Sequence, residues 1–290
     1  MRADEIDVVA PRATLARRAL TGYAWVIYLF LFAPIALLVL FSFNQNRYGT
    51  FPITGLTTHW YQQVFSDYQI RNALMTSLQV AAEVTILSTI VGTAAAFPLA
   101  RSRLRFRGPL QVAFTLPIMI PGLLIGVSLL VLFTSVLKVT LSTQTAVIAQ
   151  SVYTTPFVLL IVASRLQDFD ASLERAASDL GANTVARLRY VVLPLILPAI
   201  FAGALFAFTL SLDEFVITLF VIGGQNTLPI YINTQIKFGI TPEVNALAAM
   251  LLCGSLALFA LGTALPALSK KIRRRARERA LRAAEAAAPA

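Results

Sequence analysis

Long apolar runs alternate with short, Arg-bearing polar segments along most of the chain. Crossing a hydrocarbon core about 30 Å thick takes about 20 residues of helix. Six runs reach that length, at about 24–43, 72–100, 110–137, 144–165, 196–220 and 246–268. Backbone inside lipid must satisfy its own N–H and C=O groups, so runs this long predict helices rather than strands. Prolines within them, including Pro34, Pro98, Pro117 and Pro121, predict bends that neighbouring helices tolerate. The expected class is an all-α polytopic membrane protein.

Composition agrees. Hydrophobic residues make up 57% of the chain, charged residues 13%, and mean hydropathy is +0.73. A soluble domain would carry about 25% charged residues. The net charge of +10 could suit nucleic acid. A nucleic-acid binder does not place most of its length in apolar runs, so nucleic acid is not an expected partner. The basic residues instead sort by side. With the N-terminus inside, the inner segments hold Arg2, Arg12, Arg17 and Arg18, then Arg101, Arg103, Arg105 and Arg107, then Arg165, Arg175, Arg187 and Arg189. The tail from Lys270 to Arg282 adds the rest. Of 24 basic residues, only Arg47, Arg71, Lys138 and Lys237 fall outside. This asymmetry puts both termini on the cytoplasmic side. It also reads the tail as an anchor near anionic lipid. The expected division is a cytoplasmic segment 1–23, a membrane domain 24–268 and a basic cytoplasmic tail 269–290. The first run follows Arg residues as a signal peptide would, but no small-residue cleavage site follows it, so an uncleaved helix is expected.

Two outer loops are long. One, from Asn44 to Arg71, carries the only histidine, His59, beside Trp60 and Tyr61. A lone His makes no metal site, and aromatics at this depth suit an interfacial belt. The other, "GGQNTLPIYINTQIKFGITPEVN", suits an ordered, irregular cap. The single cysteine, Cys253, reads as a small buried hydrophobe.

No phosphate-binding G-x-x-x-x-G-K-[ST] loop, H-E-x-x-H or G-x-S-x-G occurs, and there is no Cys/His cluster. Hydrolytic chemistry is therefore not expected of this chain. Glu83, Asp213 and Glu214 are the carboxylates within the spans. Carboxylates in a span are costly and face a cavity or a partner. These three are candidates for a solute path, with a structural pairing to a neighbouring Arg, Ser or Thr as the alternative.

The most informative polar segment lies between the fourth and fifth spans, at about 166–195. Leu173, Ala176, Ala177 and Leu180 recur at helical spacing on one face, while Glu174, Arg175, Ser178 and Asp179 fall elsewhere. Asp170 can cap this helix, and Gly181 stands where a left-handed turn would end it. Asn183 or Thr184 can cap a second helix, running to Leu193 before Pro194. By pattern alone, this loop packs on its own bundle as readily as on a separate surface.

The stretch "RAASDLGANTVARLRYVVLPLILP" resembles the EAA loop of the inner-membrane permeases of binding-protein-dependent ABC importers. That motif reads Glu-Ala-Ala, three residues, Gly, nine residues, Ile-x-Leu-Pro. Ala176, Ala177, Gly181, Leu193 and Pro194 match it, and Val191 replaces the isoleucine. Arg175 departs from it, standing at the glutamate position with Glu174 one residue earlier. The resemblance implies the six-span fold of type I importer permeases (the MetI-like fold) in the bacterial inner membrane. It implies an ATPase subunit dimer docked on this loop through Glu174, Arg175, Ala176, Ala177, Asp179, Gly181, Leu193 and Pro194. It also implies a second permease subunit and a periplasmic solute-binding protein. ATP and Mg would be used by the ATPase, with no cofactor on this chain. Ser211 to Leu252 and "LPIMIPGLLIGVSLL" are similar to the spermidine/putrescine branch, which implies a polyamine. Permeases for opines, aminophosphonates or iron share much of the pattern. The alternative of another class is a self-contained secondary carrier, for which inverted repeats would be the sign.

Overall fold

The computed structural model describes residues 11–46, 52–101, 107–239, 241–257 and 260. Twelve helices are used below, in chain order. They are α1 (Pro11–Ser42), α2 (His59–Ser66), α3 (Tyr68–Arg101), α4 (Arg107–Met119), α5 (Gly122–Val131) and α6 (Thr143–Gln167). Then come α7 (Ala171–Asp179), α8 (Thr184–Arg187), α9 (Leu193–Asp213), α10 (Val216–Val221), α11 (Leu228–Phe238) and α12 (Pro242–Ala257). Among the described residues the one β pairing is an isolated bridge, Asn44 to Leu56. The all-helical expectation holds.

Four helices are long and apolar enough to cross a membrane: Arg17–Ser42, Tyr68–Ala100, Thr143–Gln167 and Thr184–Asp213. The run expected as a third span is broken instead. Gly108–Met119 and Gly122–Val136 meet at 100°. Pro121 lacks an N–H and pushes Ile120 out of helical conformation, so the helix stops and restarts there. The sixth expected run overlaps α12, which is too short to cross within the described residues. The remainder of that run, apart from Ala260, and the tail 269–290 lie outside them, as do residues 1–10, Arg103 and Arg105.

The chain divides into two units. One combines residues 1–65 with 238–290, and the other is 66–237. In the first, the aromatics expected as a belt fasten the end of α1. Trp60 Nε1 donates to the Asn44 carbonyl at 2.7 Å, and the Tyr61 and Ser42 hydroxyls lie 2.6 Å apart. Gln63 on α2 donates to Glu243 on α12 at 3.3 Å. Cys253 is exposed rather than buried, because the buried stretch of α12 ends before it: Val244, Ala246, Leu247 and Ala249 are buried. The span in α1 buries none of its most apolar window, and Trp25 and Phe30 are exposed.

The second unit is built on α3, α6 and α9. Their common core includes Ala96, Val158, Val162, Leu166, Ile196 and Ala207. Lipid tails are as apolar as leucine, so burial alone does not drive helices together, and close backbone approach must. Val158 of α6 is fully buried between the other two helices at Gly92 and Gly203. A Cβ on Gly92 of α3 would stand 2.9 Å from Val158 Cβ and 3.0 Å from the Thr155 carbonyl oxygen. A Cβ on Gly203 of α9 would stand 3.1 Å from Val158 Cγ1. A second cluster joins α5, α6, α10 and α11 around Ile125, Ala149, Ile217 and Ile230. The outer cap expected to be irregular is helical: α11 begins where the Leu228 N–H donates to Ser77 Oγ on α3 at 2.8 Å.

Gly92→Ala should destabilise the purified protein by about 1–3 kcal/mol, the usual cost of overpacking. Gly22→Ala, which would meet nothing within 4 Å, should not destabilise it. Thermal unfolding in detergent measures both, and equal midpoints would refute the close-packing account.

Candidate functional site

The polar loop after α6 is set by local signals. Asp170 adopts extended backbone and accepts from the Ser172 N–H at 2.8 Å, capping α7. Hydrogen bonds from the Ser172 backbone and hydroxyl, then the charge of Arg175, hold its carboxyl below the usual aspartate value. At the other end the Ala182 N–H donates to the Ala177 carbonyl at 3.0 Å and the Gly181 N–H to the Ser178 carbonyl at 2.9 Å. These are the two bonds of a Schellman motif, and Gly181 takes φ +82 to make them. Asn183 then caps α8, accepting from the Ala186 N–H at 2.8 Å. Arg187 on α8 donates to Ser178 Oγ at 2.6 Å, which ties the two short helices together.

The second helix does not end before Pro194 as expected. It passes through a π turn, Leu188–Val192, into α9. Proline at 194 has no N–H, and its ring would clash with the carbonyl four residues back in a regular helix. Widening the turn relieves that clash: the Leu193 N–H reaches the Leu188 carbonyl, five residues back. One apolar helix therefore runs from Thr184 to Asp213.

Among the described residues the predicted α7 face is largely exposed. Leu173 is 47% and Leu180 89% exposed, Ala176 is exposed and Ala177 half-buried. Arg175 and Asp179 are exposed, and Glu174 is half-buried. Leu193 and Pro194 are also exposed, at the start of α9.

Two of the three carboxylate candidates lie at the far end of α9. Asp213 is its last residue and is exposed. Glu214 does not continue the span, as the expected 196–220 helix required. Its φ is −71 and its ψ 108, so the helix breaks there and restarts as α10. Glu214 Oε1 accepts from the Ile217 N–H at 2.8 Å, and the Glu214 carbonyl accepts from Thr218 Oγ1 at 2.9 Å. Glu83 on α3 is half-buried and accepts from Gln79 Nε2, one turn back, at 3.0 Å. Asp213 and Glu214 thus stand at the break, whereas the bond of Glu83 is to its own helix.

A polar chain that sequence reading missed backs this break. Gln150 is fully buried in α6. Its Oε1 accepts from the Ser211 hydroxyl, and its Nε2 donates to Thr218 Oγ1 at 2.6 Å. Thr154, one turn further along α6, donates to the Gln150 carbonyl at 3.0 Å and meets the Ser88 hydroxyl of α3 at 2.5 Å. A signal was present: "QSVYTT" is a polar interruption of an apolar run, with Gln150 and Thr154 on one helical face.

Residues 88–278 match the profile of the binding-protein-dependent transport system inner membrane component. The chain belongs to that family. Among its relatives, this permease is similar to the spermidine/putrescine transport system permease protein PotC of Haemophilus influenzae, 38% identical over 83% of this chain and 93% of that one. It is also similar to the putrescine transport system permease protein PotI of Escherichia coli strain K12, 39% identical over 77% of this chain and 82% of that one. Its fold resembles a chain of a bacterial ABC transporter that imports the acidic polysaccharide alginate. The TM-score is 0.69 at 16% identity, covering 88% of this permease and 98% of that chain. A chain of the MetNI methionine ABC transporter gives a TM-score of 0.56 at 17% identity, covering 71% of this permease and 95% of that chain.

Asn183→Ala should loosen the loop by about 1 kcal/mol, the typical value of an N-cap. Limited trypsin digestion should then cut at Arg187 and Arg189 roughly fivefold faster, since about 1.4 kcal/mol is tenfold. Asn183→Asp, which keeps an acceptor, should digest as the parent does.

Proposed function

We propose that this permease is one of two membrane subunits of an ATP-driven importer in the bacterial inner membrane, and that its solute is a polyamine of the spermidine or putrescine class. The observation that carries the reading is the α7 face. An apolar and alanine-rich surface, ordered by caps at both ends, is largely exposed among the described residues. The charge asymmetry puts that surface in the cytoplasm. A groove of an ATPase subunit is the partner that covers it, with small alanines allowing close approach. This chain would hydrolyse nothing itself, and ATP and Mg would bind on the ATPase dimer. A periplasmic solute-binding protein delivers solute from the other side.

The continuity of α8, the π turn and α9 supplies the mechanical link. The helix from Thr184 to Asp213 is about 45 Å long at 1.5 Å per residue. Arg187 joins its inner end to α7, and Asp213 ends it at the break. Movement of the ATPases against α7 would be passed along one rigid element to the carboxylates. Closing and opening of the ATPase dimer would then turn the solute path from one side to the other. Two carboxylates at a break suit a polycationic solute, and the names of the PotC and PotI relatives support the same class.

Gly181→Val tests the coupling claim. No atom lies within 4 Å of a Cβ there, so the substitution acts through the positive φ alone. It should cost about 1–2 kcal/mol locally and turn the α7 face away from its partner. The variant should insert normally, hold the ATPase weakly in detergent, and lose most solute uptake in proteoliposomes. Full ATPase retention with normal transport would remove the coupling role of this loop.

Asp213→Asn and Glu214→Gln test the solute claim singly. Each should lower putrescine or spermidine uptake by about tenfold, the scale of one lost charged hydrogen bond, with the complex still assembled. Unchanged uptake in both would sink the polyamine path.

A further inference from the structure

Ser211 and Thr218 stand on opposite sides of the break at Glu214 and share one partner, the buried amide of Gln150. One side chain of α6 therefore joins the last turn of α9 to α10 across the break. Thr218 passes the constraint on, because its hydroxyl donates to the Glu214 carbonyl. The far end of α10 is held by α6 as well: Thr145 Oγ1 donates to the Val221 carbonyl at 2.6 Å. The α6 backbone at Gln150 is linked to α3, since Thr154 Oγ1 donates to the Gln150 carbonyl and meets the Ser88 hydroxyl.

We infer that Gln150 is a positioning residue for solute passage: its amide clamps α9 to α10 across the break and so sets where Asp213 and Glu214 present their carboxylates. This rests on the reading of that pair as solute-facing. Burial explains why an amide suits the task. Both ends of Gln150 are satisfied, so it adds no charge to the span, and losing either partner would leave a buried polar group unpaired. The consequence is that the geometry of the carboxylates is decided by a residue that does not touch the solute.

Two measurements test this. The first needs no solute: hydrogen exchange at the Glu214–Thr218 amides of the purified complex. Gln150→Leu and Thr218→Val should each speed exchange there about tenfold, whereas Thr218→Ser, which keeps the hydroxyl, should not. The second is a mutant cycle on putrescine and spermidine uptake in proteoliposomes, comparing Gln150→Leu, Asp213→Asn and the double variant. Each single change should raise the half-saturating solute concentration about tenfold, and the double should be no worse than the worse single. Unchanged exchange in both clamp variants would overturn the inference. So would faster exchange with uptake effects that multiply, since that pattern means a structural role independent of the carboxylates. If Gln150→Leu fails to assemble, the Thr218→Val and Thr218→Ser pair carries both measurements, with Thr218→Val replacing Gln150→Leu in the cycle. A parent complex that carries neither polyamine would sink the polyamine reading alone. The cycle would then run with whichever solute stimulates its ATPase, and the same two patterns decide.

Discussion

The close approach of α3 and α9 to Val158 of α6 is the constraint on which the second unit depends. Helices in lipid gain little from burying one apolar face against another, so contact distance decides which faces meet. Gly92 and Gly203 let two backbones reach the same valine. That contact sets the register of everything further along α6. One turn away Thr154 meets Ser88, and one turn beyond that Gln150 meets Ser211 and Thr218. If α3 and α9 stood off by the width of a methyl group, these hydrogen bonds would lengthen past their useful range.

Within that frame α9 has two jobs at its two ends. At Pro194 the chain must enter a span without a backbone donor, and the π turn before it keeps the helix continuous from the loop. At Glu214 the helix must stop inside an apolar run, and there the freed backbone groups are met by side chains. Glu214 Oε1 takes the Ile217 N–H, and Thr218 takes the Glu214 carbonyl. A break in lipid is tolerated only where such partners exist. The same residue that is a candidate for solute contact is therefore also a cap. That is why the structural and functional readings of Glu214 do not exclude one another.

The loop between α6 and α9 shows how local order can leave a surface available. Its turn, caps and internal Arg187–Ser178 bond are completed within the segment. None of them uses the Leu173, Ala176 and Leu180 face. A loop whose conformation is settled by its own hydrogen bonds can present a fixed shape to a partner without first folding onto the bundle.

Several features were determined by sequence alone because they depend on near neighbours or on partition between water and lipid. Five of the six runs expected to span overlap the helices long and apolar enough to cross, or the bent pair. Asp170, Gly181 and Asn183 each do what their position in the pattern predicted, since a cap or a positive-φ turn is decided by a few adjacent residues. Other features were decided only by tertiary structure. The end of the fifth run at Asp213, the merging of α8 into α9, and the exposure of the α7 face could not be read from spacing. Nor could the bonds of Gln150, which join residues 61 and 68 positions apart. An apolar window looks the same whether its helix is straight or broken. The difference lies in whether a distant helix supplies hydrogen-bond partners at the point of the break.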